Sequence, residues 1–168
     1  MTMFNKKNKA RVANHTKIAL LPNERGAIIC MSPATSTVTF FKGCPERAEK
    51  QLAKKVAAIV TANPWLASYL DKDPQTGEMA AYQAPNAASM CRFERRDHIK
   101  LSRNHIKYHD MVTGLGDALC QTSKASMGKQ IPLWQVSLIA DAEEPKVGFA
   151  LVVSCNHSLL DGHGFYQI

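Results

Sequence analysis

Long apolar runs and targeting signals are missing from this chain of 168 residues. The longest apolar run covers residues 147–155 and is far shorter than the roughly 20 residues that a membrane-spanning helix needs. Residues 1–21 contain no apolar core of the kind that a secretory signal peptide carries. These absences predict a soluble protein with no membrane span.

Paired cysteines and internal repeats are missing as well. The five cysteines, an odd number, stand far apart, and none belongs to a Cys-x-x-Cys pair. This spacing argues against a disulfide framework, a redox motif or a zinc motif, and it favours a reducing, cytoplasmic compartment. No repeat or heptad series is present, which argues against solenoids and coiled coils.

Acidic residues are scarce, with 14 Asp and Glu against 21 Lys and Arg and a net charge of +7. One group of bases precedes the first acid, Glu24, and is typical of either a solvated tail or an organelle-targeting peptide. A second group is opposed only by Glu94 and Asp97; it comprises Arg92, Arg95, Arg96, Lys100, Arg103 and Lys107. This group predicts either a solvated surface or a face that attracts anions, such as coenzyme A phosphates, an acidic carrier protein or nucleic acid.

The apolar fraction of 45% is enough for one substantial core. We expect residues 26–168 to form one subdomain, preceded by a basic and flexible segment at residues 1–25. Strands are predicted at residues 35–42, 78–83, 132–139 and 147–155, the last two as an antiparallel pair. A helix is predicted from Pro45 to residue 60, ended by Asn63 and Pro64.

The segments between these elements are less regular. Four apolar residues after the helix are predicted to pack in the core: Trp65, Leu66, Tyr69 and Leu70. Residues 71–77 predict a turn, and residues 98–119 a partly helical stretch that two glycines interrupt. Strands mixed with helices indicate a layered α/β sandwich.

One motif carries chemical information. His157 directly follows the last predicted strand, with Asp161 four residues later and Gly162 beside it. From this chain's own composition, His-x-x-x-Asp-Gly is expected by chance roughly 0.01 times, so its occurrence favours function. A His at a strand exit can present its imidazole to a cleft, while the Asp and Gly close a turn behind the ring. The chemistry indicated is general base catalysis.

A Pro-Leu-Trp strand at residues 132–139, a polar loop, an apolar strand and the motif follow one another in this order. This order resembles the superfamily of chloramphenicol acetyltransferases, peptide-synthetase condensation domains and wax-ester or polyketide-associated acyltransferases. The resemblance covers residues 131–168 well and residues 36–70 weakly. It implies a two-layer α/β sandwich with a mixed or largely antiparallel sheet and helices on one face.

The resemblance also implies roles for the motif. Its members transfer an acyl group from a thioester, so His157 is expected to deprotonate the acceptor hydroxyl or amine. Asp161 is expected to orient the local structure through a salt bridge, and Gly162 to leave room for substrate. The co-substrate is expected to be an acyl-coenzyme A or acyl-carrier thioester, with no permanently bound cofactor and no metal.

Two departures from the superfamily pattern are visible. Condensation domains carry two adjacent His, and Asn156 stands here in place of the first. Their Arg-rich motif after the first helix is replaced by Ala-Asn-Pro-Trp-Leu-Ala at residues 62–67, which removes the usual Arg partner of the motif Asp. The remaining candidates for that partner, among which spacing does not select, are Arg25, Arg92, Arg95 and Arg96.

Other interpretations of the motif remain open. His157 could be a core residue satisfied by a backbone carbonyl, with Asp161 stabilising a turn. Ser154 or Ser158 could act as a nucleophile, although neither lies on a Gly-x-Ser-x-Gly elbow. Two sets could bind a metal without matching a known ligand signature: Cys155 with His157 and His163, or His105 with His109.

In longer members of the superfamily the motif ends the first half, and a second half forms the other wall of the substrate tunnel. Because the sequence stops at Ile168, the resemblance predicts the N-terminal half of an acyltransferase, completed by a C-terminal half or a second subunit. The acceptor is expected to be a small molecule, and nucleic acid is not the expected partner. The alternative is a non-catalytic binding module whose basic face meets an acidic partner.

Overall fold

The computed structural model describes residues 12, 14–85, 92–104 and 107–168, with the Arg92 side chain outside the description. Within these residues the strands are β1 (Thr16–Ile18), β2 (Thr35–Lys42), β3 (Ser68–Lys72), β4 (Met79–Gln83), β5 (Arg92–Arg95), β6 (Trp134–Ala140) and β7 (Gly148–Cys155). The α-helices are α1 (Ala27–Met31), α2 (Pro45–Ala62), α3 (Tyr108–Gly114), α4 (Ser123–Ser126) and α5 (Gly162–Phe165). Single 3₁₀ turns cover Pro64–Ala67 and Gly116–Ala118.

Four strands form the larger sheet, in the order β2-β7-β6-β5. β7 pairs antiparallel with β2 and with β6, so that Cys155 lies opposite both Thr35 and Trp134. β5 runs parallel to β6. The predicted antiparallel pairing of the last two strands and the mixed, largely antiparallel sheet are therefore confirmed.

Helix α2 lies on one face of this sheet. It starts at Pro45, whose fixed φ suits a first helical position, and it ends at Asn63 before Pro64, as predicted. Its buried residues Val56 and Val60 pack with Trp134 and Val136 of the sheet. The helical period of the sequence therefore buries one stripe of α2 and leaves its lysines in solvent.

The other face of the sheet is covered by the segment that was predicted to be partly helical. Leu101 and Leu115 pack there against Ile139 and Val152. Successive residues of a strand point to opposite faces, and this explains why neighbours on β7 join different clusters. The α/β class is confirmed. The long helix α2 lies on one face of the sheet, as expected, and shorter helical turns cover the other face.

The smaller sheet has the order β1-β4-β3. Tyr69 and Leu70 of β3 and the preceding Leu66 are almost fully buried, as predicted, while Trp65 is half-buried. β1 pairs with β4 and places part of the basic N-terminal segment in the fold. Residues 1–11 of that segment lie outside the described residues, as do residues 86–91, which include Cys91.

No helix among the described residues has both the length and the apolar character needed to cross a bilayer. The described cysteines, at positions 30, 44, 120 and 155, are free thiols.

Candidate active site

The motif occupies the turn that follows β7, between Cys155 and the start of α5. His157 is half-buried, so its ring is not sealed inside the core. Its Nδ1 lies 3.4 Å from the carbonyl oxygen of Leu160. Because a carbonyl only accepts hydrogen bonds, this contact forms when Nδ1 carries the proton, which leaves Nε2 able to accept one. The distance is long for a hydrogen bond, so the ring is held loosely.

Asn156 fixes the base of the turn. Its side chain is fully buried and donates from Nδ2 to the carbonyl of Gln121 at 2.7 Å. Its Oδ1 accepts hydrogen bonds from the Ser123 hydroxyl at 2.8 Å and from the Ser158 N–H at 2.9 Å. The hydroxyls of Ser123 and Ser158 are also 2.7 Å apart. A buried amide with all these partners satisfied holds a unique arrangement, since any displacement leaves polar groups unpaired.

The backbone of Asn156 fastens the same turn to the sheet. Its N–H donates to the Leu133 carbonyl at 2.7 Å, and its carbonyl accepts from the Leu159 N–H at 3.0 Å. From the sequence, Asn156 is visible only as a replacement for a superfamily His. Its partners Gln121 and Ser123 lie more than 30 residues earlier, and no local signal connects them to it.

Asp161 caps helix α5. Its Oδ1 accepts the Gly164 N–H at 2.7 Å, and the side chain is otherwise exposed. Three of the proposed Arg partners are engaged elsewhere: Arg25 with Glu78, Arg95 with Glu46, Glu49 and Asp97, and Arg96 with Glu94 and Asp117. Within the described residues, Asp161 therefore stabilises the turn as a helix cap and takes part in no ion pair.

Two glycines follow the cap residue Asp161, and only at the second would a side chain collide with neighbouring atoms. A Cβ built on Gly162 meets no atom within 4 Å, so the space beside the motif is open. A Cβ on Gly164 would lie 2.9 Å from Leu160 Cδ2 and 3.3 Å from Asp161 Oδ1. Gly164 thus permits the close approach of α5 to the turn, a role that the sequence did not reveal.

The nucleophiles near His157 are buried and engaged. Ser154 and Ser158 are fully buried; the Ser154 hydroxyl accepts the Cys120 N–H at 2.9 Å and lies 2.8 Å from the Ser36 hydroxyl. Burial raises the pKa of the Cys120 thiol to about 12, so it remains protonated near neutral pH. The geometry therefore gives no support to a Ser or Cys nucleophile.

The alternative metal sets also lack support. The Cys155 thiol is buried and directed to its neighbour's carbonyl, while His163 is exposed and lies 2.8 Å from the Gln167 amide nitrogen. Across the described ranges, no group of three potential ligands that could hold a metal ion occurs. His105 lies outside the described residues.

Three of the six bases of the predicted basic face are paired with acids. Arg95 contacts three acids, Arg96 is 4% exposed and contacts two, and Arg103 pairs with Glu144 at 3.1 Å. Asp117 is held by Arg96 and by His98 at 2.9 Å. Burial raises the pKa of Asp117, but the His98 hydrogen bond and the Arg96 charge bring the pKa below its ordinary value. Arg95, Arg96 and Arg103 thus serve internal ion pairs.

Two cavities lie on opposite faces of the larger sheet. One, of about 320 Å³, lies between α2, the sheet and the end of α5. The other, of about 540 Å³, lies between the edge strand β2 and the segment from α3 to α4, with Gln121 in its wall. Neither of these two cavities is lined by His157 itself.

The similarity of this chain to known proteins is found in its structure and not in its sequence. No family sequence model matches the chain, and no curated protein sequence matches it. A wax ester synthase/diacylglycerol acyltransferase from Marinobacter aquaeolei VT8 matches in structure over 89% of this chain and 37% of that one, with 17% identity and a TM-score of 0.52. TRI101 of F. sporotrichioides, solved with coenzyme A and T-2, matches over 85% and 36% with 11% identity and a TM-score of 0.52. A chloramphenicol acetyltransferase matches over 92% and 96% with 13% identity and a TM-score of 0.39.

The chain has the chloramphenicol acetyltransferase-like fold. The fold expected from the order of strands and motif is therefore confirmed. The chain spans little more than a third of the first two structures.

Proposed function

We propose that this chain is the N-terminal half of a thioester-dependent acyltransferase in which His157 is the general base. The observation that carries the proposal is the half-buried ring at the exit of β7, with Nδ1 directed to the Leu160 carbonyl. Among the described residues no hydrogen bond engages Nε2, which is the nitrogen needed to take a proton. The acyltransferase named among the structural matches supports the same reaction class.

In the proposed reaction, Nε2 takes the proton of an acceptor hydroxyl or amine as the acceptor attacks the thioester carbonyl. The new C–O or C–N bond forms, the C–S bond breaks, and the imidazolium returns its proton to the departing thiolate. The acyl group moves directly, so no protein nucleophile is required. Positioned bases of this kind contribute roughly 100- to 10,000-fold in rate.

The co-substrate is proposed to be an acyl thioester of coenzyme A or of a carrier protein. TRI101 was solved with coenzyme A, a finding that concerns that protein and supports the same donor here. Because the chain spans little more than a third of the first two structures, we propose that a second polypeptide segment or a second copy completes the substrate cleft. Asp161 and Gly162 are proposed to support the site as a helix cap and as open space beside the base.

The binding-module alternative receives less support from the geometry. It depended on a free cationic face at residues 92–107, and Arg95, Arg96 and Arg103 are paired with acids. Acyl transfer is therefore the function that the described site supports best.

The test follows thiol release from acyl-coenzyme A by the chain joined to its completing segment, with and without an acceptor alcohol. His157→Ala should lower the rate at least roughly 100-fold. The matched control is His163→Ala, an exposed His in the same turn region, which should retain the rate. Equal rates for the two variants, with both folded, would refute His157 as the base.

A further inference from the structure

The cleft of about 320 Å³ beside α2 is lined mostly by apolar side chains. The sheet supplies its floor, α2 supplies one wall, and the end of α5 supplies the other. Six residues illustrate this lining: Val136, Val153, Val56, Ile59, Phe165 and Ile168. Its volume is at the lower end of the roughly 300–1,000 Å³ typical of small-molecule sites, which is enough for one slender ligand.

A single cationic side chain, Lys55, lines this cleft. The residues three and four positions away on α2 are Gln51, Leu52, Ala58 and Ile59, so no acid stands at helical pairing distance. Within the described part of the chain, Lys55 forms no ion pair. An uncompensated positive charge at an apolar cleft favours a ligand with an apolar body and an anionic end.

The cleft adjoins the helix that follows the motif's turn. Phe165 belongs to α5, the helix that Asp161 caps, and it packs in the same cluster as Cys155, the last residue of β7. Leu159 and Leu160, which flank the His157 turn, pack against this cluster too. A ligand in the cleft therefore lies against the helix that directly follows the turn of the proposed base.

We propose that this cleft binds the hydrocarbon chain of an anionic single-chain amphiphile, with Lys55 beside the anionic group. A fatty carboxylate has both the chain and the anionic end, whereas an acyl thioester shares only the hydrocarbon chain, because its thioester group is neutral. Assigning the chain to the transferred acyl group rests on the proposed function, whereas binding in the cleft does not.

The probe is dodecanoate, titrated below its micelle concentration into the 168-residue protein and followed by calorimetry. Burial of each methylene should change the affinity roughly fourfold, so octanoate, which is four methylenes shorter, should bind about 250-fold more weakly than dodecanoate. Dodecanol should bind about threefold more weakly, because it lacks the charge that Lys55 attracts. Octanoate that binds as tightly as dodecanoate would overturn the proposal.

Two matched pairs of variants locate the site. Thr37 and Thr39 are two residues apart on β2 and share a face, but only Thr37 lines the cleft. Thr37→Phe should fill the cleft and weaken dodecanoate at least roughly tenfold, while Thr39→Phe should leave it unchanged. Lys55→Gln should weaken binding about threefold and Lys54→Gln should not, since only Lys55 lines the cleft. Equal effects within either pair would overturn the assignment.

Tryptophan fluorescence provides a second measurement of binding, which does not depend on whether Thr37→Phe folds. Trp134 lines the cleft, and Trp65 is the only other tryptophan. In Trp65→Phe, dodecanoate should shift the remaining Trp134 emission, and an unchanged spectrum at saturation would contradict binding there.

Competition by dodecanoyl-coenzyme A would assign the cleft to the thioester donor, whereas its failure to compete would assign it to free carboxylates. If His157→Ala leaves thiol release unchanged but dodecanoate still binds, the proposed function fails and the cleft assignment stands.

Discussion

The turn after β7 and the basic segment at residues 92–103 both stand out in the sequence, yet the fold uses them differently. The turn keeps its most chemically useful group, the His157 ring, half-exposed, with one long contact to a carbonyl three residues away. The basic segment pairs Arg95 and Arg96 with its own acids Asp97 and Glu94, and it directs Arg95, Arg96 and Arg103 to further acids elsewhere in the chain. A motif whose meaning is local can thus be interpreted from sequence, whereas the meaning of a charge cluster depends on distant partners.

The same contrast exists inside the turn itself. His157, Asp161 and Gly162 form a local pattern, while Asn156 acts through Gln121, just before α4, and Ser123, the first residue of α4. Asn156 therefore resembles the arginines of the basic segment, because its role depends on partners that are distant in the sequence.

The strongest test removes the buried amide. Asn156→Ala should lower the free energy of unfolding by about 3 kcal/mol, because the Gln121 carbonyl, the Ser123 hydroxyl and the Ser158 N–H lose their partner inside the protein. Urea unfolding measures the loss. Asn63→Ala removes one hydrogen bond of a half-buried amide and serves as control, with an expected cost of about 1 kcal/mol. Equal costs for the two variants would show that the network does not hold the turn.

The second test compares two arginines of the basic segment. Arg96→Ala should cost about 2 kcal/mol, because its buried guanidinium also donates to Ser137 at 3.1 Å; its acidic partners are 42% and 59% exposed, which limits the loss. Arg103→Ala removes one surface pair and should cost less than about 1 kcal/mol. Thermal or urea unfolding distinguishes them. An Arg96→Ala protein as stable as wild type would mean that this segment is a solvated face after all.

The third test concerns the cap on α5. Asp161→Ala should cost about 1 kcal/mol, whereas Asp161→Asn, which can still accept the Gly164 N–H, should cost only a few tenths of that amount. The same urea curves measure both. If the two variants lose the same stability, the charge of Asp161 matters more than its cap, and an ion pair beyond the described residues becomes the better explanation.

The smallest expected effect is a pH dependence at Asp117. Its pKa is below the ordinary value of 3.8 in the folded protein, so its ionised form stabilises the fold above that pH. This contribution should disappear as the pH falls through the lowered folded pKa. Asp117→Asn should therefore flatten the acid limb of the stability curve slightly, since the carboxylate is more than half exposed. A variant with an unchanged acid limb would contradict the pairing with Arg96 and His98.

Much of the fold could be predicted because its signals are periodic. The apolar spacing of α2 and the Asn63-Pro64 stop predicted its bounds to within two residues at the C-terminal end, and the β-branched run at residues 35–42 predicted β2. Helix α1 was not predicted, since a short apolar run at residues 27–31 has no period to identify it. The parallel pairing of β5 with β6 likewise joins segments about 40 residues apart, for which the sequence has no local signal.

The candidate site divides in the same way. His157, Asp161 and Gly162 could be selected because they form one motif at a strand end. Gly164 and the buried network of Asn156 could not, since their importance depends on close approaches that only the folded backbone creates. The ion pairs of Arg95 and Arg96 depended on the same long-range geometry.

The most direct test of this account is the protonation of the His157 ring, measured by nitrogen chemical shifts in ¹⁵N-histidine-labelled protein while the ring is neutral. If the turn holds the ring through the Leu160 carbonyl, the proton resides on Nδ1 and Nε2 is unprotonated. Leu160 is followed directly by the cap residue, so Asp161→Ala should shift the ring toward the other tautomer. A wild-type ring with its proton on Nε2 would contradict the claim that this turn presents a base.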